Sequence, residues 1–386
     1  MTALHSVLRG GRIPGPALER VVCARSTRPL LSQRLVAAAA EKRAAHSYIL
    51  AIDLFHPKLS MEMSKWAVEN LGHSDDRVIL CNIVVVPPVS VFTQTDGTLV
   101  TSADVLDAMA RSDQIESDME ARLREFESDL CKEVCGDCHF ETRVVADQDV
   151  LTAMVTSDKK TVIEKLDAQV NEIGAASCTL VLAATSHGGL AELLTGSVAA
   201  GSVRKSAADA VVVYRTAKPR NAVGGKNRTI VLPVDGTELS ELAVHWTANH
   251  VARKGDVVKL IHVIPSVPFL LPTPTLGLSP ATMLLGAEVE ARNLEESMGY
   301  IQNALVPILQ QHDLEYEIDS TIQITDGSTE TLAKKILEHA TDAHLIVIGS
   351  ASHGGINEFV FGSIANYIDH HATVPVIVVH GTHTND

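Results

Sequence analysis

Two copies of a Ser-His-Gly-Gly run occur in the chain, and each is followed after six residues by a Gly-Ser pair. The copies are Ser186–Gly189 with Gly196-Ser197, and Ser352–Gly355 with Gly362-Ser363. Glycines in a loop let backbone N–H groups approach an anion, and a helix that begins at Gly-Ser presents its positive dipole end to phosphate. A constant offset of 166 residues between the copies indicates a duplication, with a candidate anion-binding loop in each half.

Each half also contains an aliphatic run that ends at an aspartate, Ile49–Asp53 in the first half and Val231–Asp235 in the second. In an open parallel sheet, ligands bind outside the carboxyl ends of the strands, at the point where the strand order reverses. An aspartate there can accept a hydrogen bond from a ribose hydroxyl. The pattern therefore predicts an adenine nucleotide held between the first and fourth strands of a half.

Helices separate short aliphatic strands in the same order in both halves, and only 4% of the residues are aromatic. Such unalternating strands are typical of a parallel sheet covered on both faces, so we predict an α/β fold with two tandem doubly wound sheets of five parallel strands. The strand pairs predicted for the two halves are 49–53 and 231–235, 78–86 and 257–264, 140–146 and 316–324, 179–183 and 345–349, and 210–214 and 374–379.

The charge is distributed unevenly along the chain. Residues 1–45 hold eight of the 32 Lys and Arg residues but two of the 47 Asp and Glu residues. This composition is typical of an organelle transit peptide, although a disordered basic tail is the alternative. The protein is thus predicted to be cytoplasmic, or mitochondrial or otherwise organellar if the leader is a transit peptide. The predicted organisation is a leader at 1–45, a first domain at 46–215, a linker at 216–227 and a second domain at 228–381.

The body that follows the leader is strongly acidic, which excludes several classes of partner. Acidic surfaces repel phosphodiester backbones, so no nucleic-acid partner is expected. No window contains 18 consecutive apolar residues, so no membrane partner is expected either. Six cysteines in 386 residues do not make a disulfide scaffold.

Residues 46–381 resemble a tandem member of the universal stress protein family. The resemblance is close in the second half, through Val231–Ser240, His262–Pro265 and the closing run Val374–Val379, and more distant in the first half. It implies a Rossmann-like fold that binds adenine nucleotides and acts as a stress-related sensor or switch. It also implies that the closing strands pair, so that the two halves form an internal pseudo-dimer. Whether the chain forms further homo-oligomers is left open.

ATP-binding members of that family carry Gly, two residues, Gly, nine residues, Gly and then Ser or Thr. The second half has serine at the second position and the first half lacks both leading glycines, so the second half is the better preserved. The nucleotide contacts that the resemblance implies in the second half are Pro233, Asp235, Val263, Gly349, Ser350, Ser352, Gly362, Ser363 and Ile364. Those of the more degenerate first-half site are Asp53, Ile83, Ala183, Ser186, Gly196 and Ser197.

The implied ligand is ATP or another adenine nucleotide, with Mg²⁺ as an optional companion. No catalytic triad and no Walker lysine motif is present, so no catalytic residue is assigned and at most slow ATP hydrolysis is expected. The alternative function is a scaffold that binds no nucleotide and uses the tandem fold for partner interactions.

An amphipathic surface helix is predicted at 104–134, because apolar residues from Ile115 to Leu130 recur at spacings of three and four and the opposite face is acidic. The cysteine cluster that follows this helix is the other group that could do chemistry. It consists of Cys131, Cys135, Cys138 and His139. Its Cys-Gly-Asp-Cys-His run matches the short haem-attachment pattern, and zinc or redox chemistry is a second interpretation. We expect an ordinary loop with free thiols, and hence no metal site.

Overall fold

The protein is described by a computed structural model. It describes residues 45–71, 75–85, 102–134, 140–147, 158–184, 198–215, 228–265, 292, 294–324, 329–351 and 363–381. The predicted linker at 216–227 and residues 1–44 of the predicted leader lie outside these ranges. Residues Arg43–Asp386 form one compact unit.

Within the part of the chain that the structure describes, ten strands occur at the positions where the aliphatic runs predict them. They are β1 (Ser47–Ala51), β2 (Arg77–Val85), β3 (Glu141–Asp147), β4 (Cys178–Ala183), β5 (Ala210–Tyr214), β6 (Thr229–Val234), β7 (Val257–Pro265), β8 (Glu315–Ile324), β9 (Leu345–Ala351) and β10 (Val376–Gly381).

Eight α-helices connect these strands within the described ranges. They are α1 (Pro57–Asn70), α2 (Ser102–Val134), α3 (Asp158–Ile173), α4 (Val198–Lys205), α5 (Glu238–His250), α6 (Val306–Gln311), α7 (Thr329–His339) and α8 (Ser363–His371). A π-helical turn, Ile301–Leu305, leads into α6, and residues 294–300 before it are also helical. None of the helices that the structure describes has both the length and the apolar character of a membrane span.

The strands form a single sheet in the order β3-β2-β1-β4-β5-β10-β9-β6-β7-β8. Each half repeats the order 3-2-1-4-5 with parallel neighbours, as predicted for a doubly wound sheet. The two halves join where β5 pairs antiparallel with β10, with Val376 opposite Val213 and Val379 opposite Ala210. This pairing covers the edge that each closing strand would otherwise expose.

Two apolar layers enclose the sheet, one on each face. One layer contains Met63 of α1, Leu123 of α2 and Val244 of α5, together with the 301–314 segment. The other layer contains residues of α3, α4, α7 and α8, such as Leu166 and Ile368. Since helices cover both faces, the strands are buried on both sides, which explains their continuous aliphatic sequences.

Helix α2 confirms the amphipathic pattern read from its sequence. Leu123, Phe126 and Leu130 are buried, while Met119 is partly buried against the same core. Most of the acidic residues that separate them are exposed. The helix therefore lies on the surface of the first half with one apolar stripe facing the sheet.

Candidate functional site: the carboxyl edge of the second half

The second-half residues predicted to contact a nucleotide come from three neighbouring strands. Strand β6 lies between β9 and β7 in the sheet. Pro233 is near the end of β6 and Asp235 follows it directly, while Val263 lies near the end of β7 and Gly349 and Ser350 near the end of β9. Because parallel strands end at the same edge of a sheet, the fold brings these positions to one edge, where open α/β sheets bind ligands.

Asp235 is held by the turn that follows β6. The Oδ1 atom accepts hydrogen bonds from the Thr237 backbone N–H at 3.1 Å, the Thr237 Oγ1 hydroxyl at 2.7 Å and the Ser240 Oγ hydroxyl at 2.7 Å. Partial burial desolvates the carboxylate and opposes ionisation, but these hydrogen bonds outweigh it and lower the pKa of Asp235. The result is an ionised carboxylate of fixed orientation on a residue that is exposed as a whole. Its Oδ2 atom makes no hydrogen bond to a described residue.

Tyr300 forms the side of this turn and is a residue that sequence reasoning missed. Its hydroxyl donates to the Thr237 backbone carbonyl at 3.3 Å. Burial, followed by the nearby charges of Glu241 and Asp235, raises the pKa of Tyr300 to about 12, so the phenol stays protonated at neutral pH. No sequence motif marks Tyr300, because it reaches the site from a helical segment 65 positions after Asp235. The sequence does contain a signal for Thr237 and Ser240. These residues follow the aspartate at the start of a helix, where hydroxyl side chains cap backbone groups.

Gly349 is required by packing within the half. A Cβ atom at this position would lie 2.5 Å from the Leu239 backbone oxygen and 2.9 Å from the Leu239 carbonyl carbon. The first turn of α5 therefore passes directly over β9, and a glycine is needed there with or without a ligand. The neighbouring Ser350 is buried, and its Oγ atom has no hydrogen-bond partner among the described residues.

Helix α8 begins at Ser363, as expected for a helix that starts at the Gly-Ser pair. Ile364 packs partly buried against the apolar layer, so the backbone N–H is the group that it can offer to an anion. Ser352 and Gly362 lie outside the described residues. The structure thus describes the two elements that flank the predicted loop, the end of β9 before it and the start of α8 after it.

The end of β7 is fixed by a side-chain contact to β6. His262 donates its Nδ1–H to the Val234 carbonyl at 2.8 Å, and the pairing of β7 with β8 shifts register between Ile261 and Val263. In the first half, Asn82 makes the corresponding contact, with its Nδ2 donating to the Ile52 carbonyl at 2.7 Å. The same edge geometry is therefore built by different side chains in the two halves.

The first-half carboxylate differs from its counterpart because both of its oxygens are engaged. Asp53 Oδ1 accepts from the Phe55 backbone N–H at 2.8 Å, and Asp53 Oδ2 lies 2.7 Å from His56 Nδ1. Phe55 itself is 78% exposed beside it. A ribose hydroxyl would have to displace the imidazole, so Asp53 is less available to a ligand than Asp235.

The remaining first-half positions are described only in part. Ile83 and Ala183 are half-buried and pack against the two apolar layers. Ala183 occupies the position of Gly349 and carries the Cβ atom that Gly349 cannot, which indicates a looser helix contact there. Ser186, Gly196 and Ser197 lie outside the described residues.

Of the cysteine cluster, the structure describes Cys131, which lies in α2 and is half-buried. Burial and the neighbouring Glu127 raise the pKa of this thiol, which disfavours the thiolate that binds metals. Cys135, Cys138 and His139 lie outside the described residues. The expectation of a loop with free thiols stays a prediction.

The fold defines a class, that of doubly wound α/β proteins, and polar residues lie at the carboxyl ends of β6, β7 and β9. Residues 226–380 match the model of the Universal stress protein family. The second half is thus similar to this family, which confirms the resemblance read from the sequence.

Several curated relatives are similar to parts of the chain. A universal stress protein of Mycolicibacterium smegmatis is 29% identical over 153 residues, and one of Mycobacterium tuberculosis is 27% identical over 202 residues, or 52% of this chain. The alignments span 48% and 60% of the length of these two relatives. Universal stress protein G of Salmonella typhimurium is 29% identical over 157 residues, covering 39% of this chain and 98% of that protein.

Among solved structures, a universal stress protein from Archaeoglobus fulgidus aligns with 87% of this chain and 96% of its own. The TM-score is 0.46 and the sequence identity is 13%.

Proposed function

We propose that the second half binds ATP or another adenine nucleotide at the carboxyl edge of β6, β7 and β9, and that the protein acts as a stress-related sensor or switch. The match of residues 226–380 to the family model supports the class of function. The observation that carries the proposal is the state of Asp235, whose Oδ1 is fixed by Thr237 and Ser240 while Oδ2 makes no hydrogen bond to a described residue.

The two aspartates provide an internal comparison. A lowered pKa keeps the Asp235 carboxylate charged at neutral pH, and a charged oxygen is the stronger acceptor for a ribose hydroxyl. Asp53 shares its second oxygen with His56. We therefore assign nucleotide binding to the second half and propose that the first half has kept the fold without the same ligand affinity.

Around the ligand, each residue is proposed to contribute one kind of contact. The backbone of Val263 would meet the adenine, Asp235 the ribose, and the loop from Gly349 to Ser363 the phosphates. This loop region offers backbone amides and the N-terminus of α8. Mg²⁺ would accompany the phosphates as an optional companion.

The pairing of β5 with β10 supports a further part of the proposal. Each half presents its closing strand to the other in antiparallel register over four residue pairs. We propose that this arrangement is an internal pseudo-dimer, in which the first half stabilises the sheet edge of the nucleotide-binding half.

Titration of the purified full chain with a fluorescent ATP analogue tests the proposal, with ATP, AMP and GTP as competitors. Asp235→Asn is the sharpest variant because its side-chain oxygen can still accept from Thr237 and Ser240, while the second carboxylate oxygen is replaced by a donor. The same change at Asp53 is the matched control.

We expect saturable binding that adenine nucleotides displace, weakened in Asp235→Asn and unchanged in Asp53→Asn. A hydrogen bond to a charged group contributes about 1.5–3 kcal/mol, which corresponds to a loss of affinity of about tenfold to hundredfold. Absence of saturable binding at millimolar ligand would reject the proposal and favour a scaffold role.

A further inference from the structure

A cluster of metal-ligand side chains, one of which is half-buried, lies where the two halves meet. His46 stands one residue before β1, Asp209 stands one residue before β5, and His250 is the last residue of α5 in the other half. One ligand atom from each of these side chains lies within 4.8 Å of the other two. His46 and Asp209 are only 3% and 9% exposed.

The separations are close to those that a zinc ion requires. Zinc bonds of 2.0–2.2 Å in tetrahedral geometry place neighbouring ligand atoms about 3.3 Å apart. His46 Nε2 lies 3.7 Å from Asp209 Oδ1, and the His46 and His250 rings have centroids 4.4 Å apart. Small side-chain rotations that move the ligand atoms by a few tenths of an ångström to about 1 Å would bring them to these separations. Two imidazoles with one carboxylate form a common zinc ligand set.

A second set of contacts orients the carboxylate. The Trp246 indole Nε1–H donates to Asp209 Oδ2 at 3.1 Å, and the Thr179 hydroxyl donates to Asp209 Oδ1 at 3.1 Å. Hydrogen bonds of this kind hold metal-binding carboxylates in place. The His46 Nε2 atom lies 2.8 Å from the same Thr179 hydroxyl, so this hydroxyl contacts two of the three ligand side chains.

The matching position of the other half shows that packing alone does not demand this set. Arg228 stands one residue before β6, as His46 stands before β1, and Asn70 ends α1, as His250 ends α5. There, Arg228 Nη1 donates to Asn70 Oδ1 at 3.0 Å. Arg228 also pairs with the buried Asp256 carboxylate, so one junction has a guanidinium beside a carboxylate, while the other has two imidazoles beside a carboxylate.

We propose that His46, Asp209 and His250 bind one Zn²⁺ ion, with water or the Thr179 hydroxyl as the fourth ligand. The ion joins the two halves, because two of its ligands come from the first half and one from the second. His46 binds through Nε2 in its neutral form, with its proton on Nδ1, and the bond from Nε2–H to Thr179 is given up. This site is separate from the nucleotide edge and does not depend on nucleotide binding.

The test is the zinc content of the untagged full chain, measured by inductively coupled plasma mass spectrometry after dialysis against excess zinc and then against metal-free buffer. His250→Gln removes one ligand at the end of a helix. The matched control changes His370 and His371 to Gln, since both lie on α8 with Nδ1 bonded to helix carbonyls. A variant with Cys135 and Cys138 changed to Ser controls for the cysteine cluster.

One zinc per chain is expected in the wild type and in both controls, and clearly less than one in His250→Gln, because this variant loses one of the three protein ligands. X-ray absorption of the wild-type zinc complex gives an independent readout that needs no variant. Nitrogen and oxygen neighbours at about 2.0–2.2 Å support the site. Sulfur neighbours at about 2.3 Å, loss of zinc in the cysteine variant, or a wild type without stoichiometric zinc would overturn it and leave a metal-free hydrogen-bond cluster.

Discussion

Gly349 lies in β9 beneath the first turn of α5, and replacing it with alanine tests why a glycine occurs there. The added Cβ would lie 2.5 Å from the Leu239 oxygen, 2.9 Å from the Leu239 carbonyl carbon and 3.3 Å from the Leu239 Cβ. Since ordinary contacts of this kind are about 3.5 Å or longer, helix or strand must move by roughly 1 Å. Overpacking of this kind costs about 1–3 kcal/mol.

The assay is equilibrium unfolding in urea, followed by circular dichroism, in the absence of nucleotide. Gly299→Ala is the matched control because Gly299 is helical and, apart from its chain neighbours and its own helix backbone, no heavy atom of a described residue lies within 4 Å of an added Cβ. Alanine should stabilise that helix by about 0.5–1 kcal/mol. The same substitution is therefore predicted to have opposite signs at the two sites.

The result that would refute this reasoning is a Gly349→Ala variant whose free energy of unfolding is within about 0.5 kcal/mol of the wild type. Such a result would mean that α5 does not restrict the position, and that a ligand phosphate is the better explanation for the glycine. A destabilised Gly349→Ala variant instead assigns the glycine to the packing of the half.

Two further predictions concern stability. Burial, together with the charge of His312, lowers the pKa of His245, and burial also lowers the pKa of His312. Below about pH 6.5, the unfolded chain therefore binds protons at these histidines more readily than the folded chain, and the free energy of unfolding should fall as the pH decreases. Urea unfolding at pH 7.5 and pH 5.5 measures this loss, which should be smaller in His245→Gln. Asp369→Asn should destabilise by about 3 kcal/mol, because it removes the negative charge that lies 3.2 Å from the Arg215 guanidinium, which is only 14% exposed. The matched control is Asp313→Asn, in which the lost carboxylate is 82% exposed, and it should cost less than about 1 kcal/mol. Equal losses of stability in urea unfolding would contradict the larger contribution that we assign to the buried pair.

Much of the fold could be predicted from the sequence because aliphatic runs and the repeat are local signals. The runs that end near Asp53 and Asp235 predict β1 and β6, although β1 ends at Ala51 and leaves Asp53 two residues beyond it. The amphipathic spacing of α2 predicts its buried face. These features depend on neighbours in the chain, which is where sequence patterns are informative.

The candidate site was predicted less completely because its details depend on packing between distant elements. The position of Asp235 follows from the motif, but the contact of Tyr300 with Thr237 does not. The clash that an added Cβ would make between Gly349 and Leu239 depends on where α5 crosses β9. The sequence therefore indicates Gly349 as a phosphate contact, while the structure gives a second reason for this glycine, its packing against α5.

The cluster at the junction of the halves could not be predicted from spacing. His46, Asp209 and His250 are far apart in the chain, and they come together because β5 pairs antiparallel with β10 and so joins the two halves. One sequence signal exists in retrospect. Aligning the halves on their first strands and helices sets His46 and His250 against Arg228 and Asn70, so the duplicated junctions differ in chemistry.

The central claim is that the second half alone binds an adenine nucleotide through Asp235. Equilibrium dialysis of the full chain against radiolabelled ATP, with Asp235→Asn and Asp53→Asn measured in parallel, tests it most directly. We predict one nucleotide per chain in the wild type and in Asp53→Asn, with affinity weakened at least about tenfold in Asp235→Asn. Two equivalents per chain, none, or equal binding by both variants would contradict the claim.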